Sequence, residues 1–338
     1  MKRRIALFIG IVMILSISLM GCGGNNTTAT NTDNSSKFDP SKHPVFVAMV
    51  LKNHPVHRIV QLGFVEEAKK LGYPVEIVGI ENVDWPSYYA SVEAAVAKGA
   101  KGALLWVDPP HTQFIKKIGD LGVKVVVPHF KFEQEKTPGL TANLSADSTE
   151  YGKAVAKAMA AKLKGKKGTI AITQNDSNTT ENNASKAFTE QMKLEAPDIK
   201  VLPPAFEGPE LTAAIAKIAA IIQKNTDLIG AFGTTGGSAA SWAGAMDETG
   251  KKDLTVIGMD YTEQNVDLVK SGKIYGIVAQ PLYDEAKMSM DLLDKSFRGE
   301  QFPWFTPLEA PIATLDGKDK ENIAYYDDII KRVKASFK

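Results

Sequence analysis

The sequence predicts an α/β protein made of two doubly wound, Rossmann-like lobes with parallel sheets. Short and almost wholly apolar runs rich in β-branched residues alternate with amphipathic stretches of helical spacing. Such runs are typical of parallel strands that helices cover on both faces. The alternation occurs twice along the chain, with a break near residues 145–147, so we expect two similar lobes.

The composition agrees with two globular domains and excludes several classes of protein. The chain has 338 residues, of which 44% are hydrophobic, and this is enough for two cores. Its single cysteine excludes a disulfide scaffold, a zinc ribbon and an iron–sulfur protein. Lys and Arg total 40 against 39 Asp and Glu, so no broad positive field favours nucleic acid.

The first residues have the pattern of a bacterial lipoprotein signal. Residues 1–4 are basic at three positions, and residues 5–20 form an apolar run that is shorter than the roughly 20 residues of a membrane span. Small residues and then Cys22 follow, which resembles a lipobox. We therefore predict a signal peptide over 1–21 and a diacylglyceryl anchor on Cys22. The alternatives are a cleaved signal with an incidental cysteine and an uncleaved anchor.

Residues 22–43 are predicted to be a flexible, lipid-anchored tether. Residues 23–37 contain Gly, Asn, Thr and Ser but almost no apolar side chains, so they cannot offset the entropy of ordering. The folded part is then expected on the extracytoplasmic side of the cell membrane.

The first lobe is predicted from four apolar runs and the helical stretches between them. Gly72 and Gly99 mark the ends of the first two helices. The strands are expected over 45–50, 75–78, 102–107 and 123–127, and the helices over 59–71, 88–98 and 112–121.

The second lobe repeats this alternation. Asp147 is predicted to cap the helix that begins at Thr149. Helices are expected over 149–163, 184–194, 210–223 and 239–249, and strands over 169–172, 199–202, 228–232 and 254–259.

Polar and aromatic residues follow the strands of both lobes. In doubly wound sheets ligands bind beyond the carboxyl ends of the strands. Two such clusters facing each other would enclose a small, hydroxyl-rich ligand. The first-lobe candidates are Asn53, His54, His57, Trp106, Asp108, His129 and Phe130, and the second-lobe candidates are Asn175, Asp176, Phe206, Thr235 and Asp260.

Five segments, in order, resemble the ribose and galactose class of type I periplasmic binding proteins, which are solute receptors of ABC importers. They are residues 45–63, 122–128, 146–152, 256–260 and 276–281. The resemblance extends over about 44–310 and implies two lobes joined by a three-strand hinge. It implies a first lobe of 44–146 plus 281–305 and a second of 147–280 plus 306–338.

The resemblance also implies roles for individual residues. His54, His57, Phe206, Thr235, Asp260 and Gln280 occupy ligand-binding positions, and His129 and Phe130 stand where the family has an Asp-Arg pair. Asn182 lies where a helix usually presents an Arg. Both guanidiniums are thus replaced, which argues against ribose or galactose itself. The remaining imidazole, amide and carboxylate groups can still pair with the hydroxyls of a neutral sugar or polyol, and the aromatic rings can cover its C–H face.

Some of these residues also fit other kinds of site. His54, His57, His129 and Asp108 could together form a metal site, but five histidines without an HxxxH pattern give little support, and no metal or cofactor is predicted. Trp106 fits a core position as well as a pocket wall. Residues 234–237 resemble a phosphate loop, yet no GK[ST] follows them.

Three classes of function compete. A hydrolase is disfavoured because the chain has no G-x-S-x-G or HExxH motif, so we predict no enzyme activity. A transcriptional repressor of this fold would need a helix-turn-helix before the first strand. Residues 1–43 have the pattern of a signal and a tether instead, so this class is excluded. We expect a monomeric receptor that delivers its ligand to an ABC permease. The alternative is a sensory receptor that presents a sugar-like, autoinducer-type signal to a membrane sensor kinase.

Overall fold

A computed structural model of the chain describes residues 38–337. The predicted signal peptide, Cys22 and residues 22–37 of the predicted tether lie outside the described residues. The rest of the predicted tether, up to residue 43, is folded: Pro40–Lys42 form a 3-10 helix, and Phe38 packs against buried core residues. Within the described part, none of the helices has the length and apolar character needed to span a membrane.

The described residues form helices and strands in alternation. The strands are β1 Val45–Met49, β2 Val75–Gly79, β3 Gly102–Leu105, β4 Lys124–Pro128, β5 Leu140–Ala146, β6 Gly168–Gln174, β7 Ile199–Val201, β8 Ala205–Phe206, β9 Leu228–Gly233, β10 Thr255–Met259, β11 Gly276–Val278, β12 Phe305–Leu308 and β13 Ile312–Thr314. The helices are α1 Pro55–Leu71, α2 Trp85–Ala97, α3 Thr112–Asp120, α4 Ser148–Lys162, α5 Thr179–Glu195, α6 Leu211–Lys224, α7 Ser238–Thr249, α8 Glu263–Lys270, α9 Leu282–Phe297 and α10 Ile323–Ser336.

The strands belong to two sheets, one in each lobe. The first has the order β12-β5-β4-β3-β1-β2, and all of its pairs are parallel. The second has the order β13-β11-β10-β9-β6-β7, with β8 beside β6, and only β13 is antiparallel to its neighbour. The prediction of two doubly wound lobes is therefore confirmed.

Apolar side chains cover both faces of each sheet, as the continuous apolar runs predict. In the first sheet Val47 and Phe46, neighbours in β1, belong to different buried clusters. In the second sheet Ala171 and Ile170 of β6 divide in the same way. Because successive side chains of a strand point to opposite faces, each sheet is buried on both sides.

The chain crosses between the sheets three times, after β5, after β11 and after β12. Strand β12 pairs in register with residues 143–146 of β5, so residues 306–308 belong to the first sheet. The boundary expected at 305 places these three residues in the second lobe. The backbone pairing extends the first lobe to the end of β12.

Helix α9 returns to the first lobe and packs against α1, β3, β4 and β5. Gly63 permits close approach of the two helices, because a Cβ at that position would lie 2.3 Å from the carbonyl oxygen of Tyr283. The packing of α9 on β4 brings Glu285, in the first turn of α9, next to His129, which follows β4. This arrangement positions the site described below.

Helix α10 contacts one helix of each lobe, α1 and α8. Arg332 Nη1 donates to Glu66 Oε2 at 2.6 Å, and Lys334 Nζ donates to Glu263 Oε1 at the same distance. The C-terminal helix thus links the lobes beside the cleft rather than lying wholly within the second lobe.

Candidate functional site

A cleft of about 1090 Å³ opens between the lobes at the carboxyl ends of their strands. Its walls come from the loop after β1, from the loops after β6, β8, β9 and β10, and from α10. The predicted site residues that line it are Asn53, His54, His57, Asn175, Thr235 and Asp260. The structure therefore brings candidates from both lobes to one cavity.

His57 is a buried polar residue that lines the first-lobe side of the cleft. It stands at the start of α1, and its Nδ1 lies 2.9 Å from the carbonyl oxygen of Leu51. Because a carbonyl only accepts, Nδ1 carries the proton and Nε2 is left as an acceptor. Burial and the neighbouring His54 lower the pKa of His57 to about 4, so the ring is neutral near pH 7.

Trp106 is the centre of a cluster of rings behind His57. Its ring centroid lies 5.2 Å from that of His57, 4.6 Å from that of His129 and 5.8 Å from that of Phe130. Trp106 is 6% exposed and belongs to the buried core. Of the two interpretations of Trp106, core and pocket wall, the structure supports the core, from which it orients His57 and His129.

The loop that carries His129 and Phe130 is held by Asn143 of β5. The Asn143 amide donates to the carbonyl oxygens of Val127 and Phe130 at 2.8 Å, and its oxygen accepts from the Phe132 amide. His129 has a φ of 74°, a left-handed conformation that is costly for a side chain of this size. The buried Asn143 therefore fixes a strained turn, and sequence reasoning did not identify it.

Glu181 organises the second-lobe side of the cleft. Its Oε2 accepts from the backbone amide of Asn175 at 2.7 Å and from the Thr234 hydroxyl at 2.8 Å. Its Oε1 accepts from the Asn178 amide at 2.7 Å. The buried carboxylate thus ties the loop after β6 to the loop after β9.

Glu207, rather than the predicted Phe206, faces the cleft. Phe206 is 53% exposed and does not line the cavity, whereas Glu207 lines it and is 2% exposed. Residues alternate in direction along an extended chain, so the residue after β8 points the opposite way from Phe206. Glu207 Oε1 accepts from the Ser238 hydroxyl at 2.8 Å, and burial raises the pKa of Glu207 to about 7.

Asp260 is the second buried carboxylate of the cleft. Burial raises its pKa to about 6; nearby Glu285 adds to the rise and His129 opposes it. Asp260 has a φ of 63°, and Asn265 holds the turn by donating to the carbonyl oxygens of Gly236, Met259 and Asp260. Asn265 is a second positioning residue that sequence reasoning missed.

The remaining predicted residues lie outside the cavity wall. Asp108 pairs with His111 at 3.0 Å, Asp176 accepts from Asn178, and Asn182 lies beside Gln174 and Ser177. Asp108, Asp176 and Asn182 each contact residues nearby in the chain rather than the cavity, and spacing along the sequence does not reveal this. The predicted residues that do not line the cavity are Trp106, Asp108, His129, Phe130, Asp176, Asn182, Phe206 and Gln280.

Among residues 38–337, no three or more His, Cys, Asp or Glu side chains come together as a group able to hold a metal ion. The three histidines considered for a metal site instead contact aromatic rings and the Leu51 carbonyl.

The cleft has the architecture of a known family. The sequence model of the periplasmic binding protein domain matches residues 45–301. The chain is 22% identical to the ribose import binding protein RbsB of Salmonella typhimurium over 260 residues, which cover 75% of this chain and 86% of that protein.

Solved structures have the same fold. The arabinose binding protein AraP of Geobacillus stearothermophilus superposes with a TM-score of 0.75 at 20% identity, covering 84% of this chain and 99% of that one. A sugar-binding protein of a sugar ABC transporter from Bacillus halodurans gives 0.74 at 20% identity, covering 83% and 99%.

Proposed function

The chain belongs to the periplasmic binding protein domain family, and we propose that it is an extracytoplasmic receptor that binds a neutral sugar or polyol and delivers it to an ABC importer. The similar proteins named as ribose import and arabinose binding proteins support a sugar as ligand. The residues that line the cleft support the same class of ligand.

The observation that best supports a polyol ligand is a pair of buried carboxylate oxygens that lack hydrogen-bond partners of good geometry. Glu207 Oε2 and Asp260 Oδ1 are buried and lack a hydrogen-bond partner of good geometry among the described residues. A buried acceptor without a donor costs about 1–3 kcal/mol. Sugar hydroxyls are donors, so a polyol in the cleft removes this cost at both carboxylates.

Neighbouring groups in the cleft complement the carboxylates. The neutral His57 ring offers an acceptor at Nε2, while Asn175 and Thr235 offer both donors and acceptors. A neutral polyol matches this mixed set, whereas a sugar acid or a sugar phosphate would bring a negative charge next to Glu207 and Asp260. We therefore propose that the receptor discriminates against anionic sugars.

Binding to both lobes would stabilise a closed form. A ligand that touches His57 on one side and Asp260 on the other makes its full set of contacts only when the cleft is shut. It would shift an equilibrium between open and closed forms, and the closed form would be presented to the permease. We propose that the bound sugar leaves chemically unchanged and that the receptor acts as a monomer.

The proposed location rests on the sequence. Lipidation of Cys22 would add two acyl chains, which suffice for stable anchoring, and residues 23–37 would separate the folded part from the membrane.

A thermal-shift panel tests the proposal. The full chain would be melted with D-ribose, L-arabinose, D-galactose, D-fucose and myo-inositol, and with D-glucuronate and glucose 6-phosphate as charged comparisons. A ligand at 100 times its Kd stabilises the folded state by about 2.7 kcal/mol, so a neutral sugar should raise Tm. The Glu207→Ala/Asp260→Ala double variant should lose that rise. A shift with the charged sugars alone, or conversion of a sugar seen by NMR, would contradict the proposal.

A further inference from the structure

A buried carboxylate on α9 lies behind the cleft, at a position that no sequence motif singles out. Glu285 is 0% exposed, and both of its carboxylate oxygens lack a hydrogen-bond partner of good geometry among the described residues. Burial of a carboxylate is costly unless a cation or donor compensates it. Glu285 therefore needs a partner close by.

That partner is His129. Glu285 Oε1 lies 3.3 Å from His129 Nδ1, and this is the one ion pair that Glu285 forms within residues 38–337. Glu285 also occupies the first turn of α9, where the helix dipole favours a negative charge. Both features suit a positively charged imidazole next to the Glu285 side chain.

The position of His129 is fixed from two other directions. Its ring is stacked on Trp106, with an angle of 28° between the ring planes, and Asn143 clamps the strained turn on either side of it. The imidazole is thus held with Nδ1 toward Glu285. Its Nε2 forms no hydrogen bond with the described residues, and 17% of the side chain is exposed.

Three titratable groups face His129 from separate elements. They are Glu285 on α9, Asp260 in the loop after β10, and His57 on α1. Burial alone would lower the pKa of His129, but the charges of Glu285 and Asp260 outweigh it, so the pKa is raised overall. His57 is neutral near pH 7 and adds no opposing charge there.

We propose that Glu285 is a positioning residue for ligand binding, which holds His129 as an imidazolium behind the cleft, so that its unpaired Nε2–H becomes available to a ligand hydroxyl when the lobes close. This inference rests on the proposed function and deepens it. The His129 imidazolium and the Asp260 carboxylate would together suit two neighbouring hydroxyls of one polyol. One hydroxyl would accept a hydrogen bond from the imidazolium, and the other would donate one to the carboxylate.

The first test needs no ligand. Titration of the full chain with isotope-labelled histidine, followed by NMR, gives the midpoint of His129, whose signal is identified by its loss in His129→Asn. We expect the wild-type midpoint above 6.5 and a fall of about one pH unit or more in Glu285→Gln, since the neutral amide no longer favours the charged ring. Glu300→Gln, beyond the end of α9, should leave the midpoint unchanged.

A midpoint that does not move in Glu285→Gln overturns the proposal, because it would mean that Glu285 does not stabilise the protonated form of His129. If Glu285→Gln fails to fold, Glu285→Asp keeps the charge but sets it farther from the ring. A smaller fall of the midpoint is then expected, and an unchanged midpoint again refutes the role.

The second test measures affinity with D-ribose and L-arabinose by calorimetry at pH 7. Glu285→Gln should weaken binding about tenfold, since one charge-assisted hydrogen bond is lost, while Glu300→Gln binds as wild type. Failure of wild type to bind any sugar of the panel would refute the proposed function and leave the titration to decide the role of Glu285. Equal affinity of wild type and Glu285→Gln would refute the binding role alone.

Discussion

The Thr234 hydroxyl donates a 2.8 Å hydrogen bond to Glu181 Oε2, and this contact joins two loops that come from strands β9 and β6. The same oxygen also accepts from the Asn175 amide at 2.7 Å. Glu181 lies on α5 and does not line the cleft, so its contribution is to the shape of the second-lobe wall.

Glu181→Ala is expected to lower the free energy of unfolding by about 2 kcal/mol, because it removes the acceptor of the Asn175 backbone amide and leaves the buried Thr234 hydroxyl with only the Thr173 carbonyl oxygen. Denaturant titration measures the change. Glu190→Ala, at an exposed position on the same helix, should change stability by less than about 0.5 kcal/mol. Equal effects of the two variants would rule out the structural role of Glu181.

Glu207→Gln is expected to flatten the dependence of stability on pH. The pKa of Glu207 is raised to about 7 from its ordinary 4.5, so the folded state binds more protons than the unfolded state between these values. Stability therefore decreases as pH rises through that window.

The amide that Glu207→Gln introduces does not titrate, so the loss of stability between pH 5 and pH 8 should be smaller in this variant than in wild type. Urea midpoints at the two pH values measure it. Asp260 titrates in both proteins, so its contribution to the pH dependence of stability cancels when the two are compared. Parallel curves for the two proteins would show that Glu207 is ionised throughout.

Asp260→Asn is expected to weaken sugar binding by about 2 kcal/mol, since the amide removes the charged acceptor that lines the cleft. Asn tolerates the left-handed φ of 63° better than Ala does, so the fold should be retained. Calorimetry with the sugar that gives the greatest thermal shift measures the loss. Unchanged affinity with a normal melting curve would remove Asp260 from the site.

Gln280→Ala is expected to cost about 2 kcal/mol of affinity as well. Gln280 is 9% exposed at the second crossing, and its side chain forms no hydrogen bond with the described residues. It does not line the cleft as the structure has it, so its contact would form on closure. If Gln280→Ala binds with wild-type affinity, the second crossing is not part of the ligand site.

Much of the fold was predictable because parallel strands that are buried on both faces leave a plain apolar signal. Strands β1, β4 and β10 agree with the predicted runs to within a residue at each end. The cap of α4 is confirmed, since the Thr149 amide donates to Asp147 Oδ1 at 2.8 Å. These features depend on residues close together in the chain.

Strand β5 was not predicted, because its sequence alternates apolar residues with Thr141, Asn143 and Ser145. Asn143 interrupts the apolar pattern because its side-chain amide holds the turn after β4 by hydrogen bonds to residues of that turn. Helix α1 begins at Pro55, four residues before the predicted start, because proline is well accepted in the first turn of a helix.

The site was only half predictable from the sequence. Positions after strands place His57, Thr235 and Asp260 at the cleft, because sheet topology alone brings them there. The choice between Phe206 and Glu207 depends on the direction of a two-residue strand, which the sequence pattern leaves open. Glu285 belongs to a helix far along the chain, and only the packing of α9 places it beside His129.

The return of the chain to the first sheet has a consequence for the order of folding. Strand β12 forms one edge of that sheet beside β5, and α9 covers β3 to β5. In the chain, however, β12 and α9 follow all the strands of the second sheet except β13. The N-terminal part of the polypeptide lacks this cover until the residues up to 308 have been synthesised. Contacts between such distant segments slow the search for the native state, so the N-terminal part of the first lobe is not a self-sufficient folding unit.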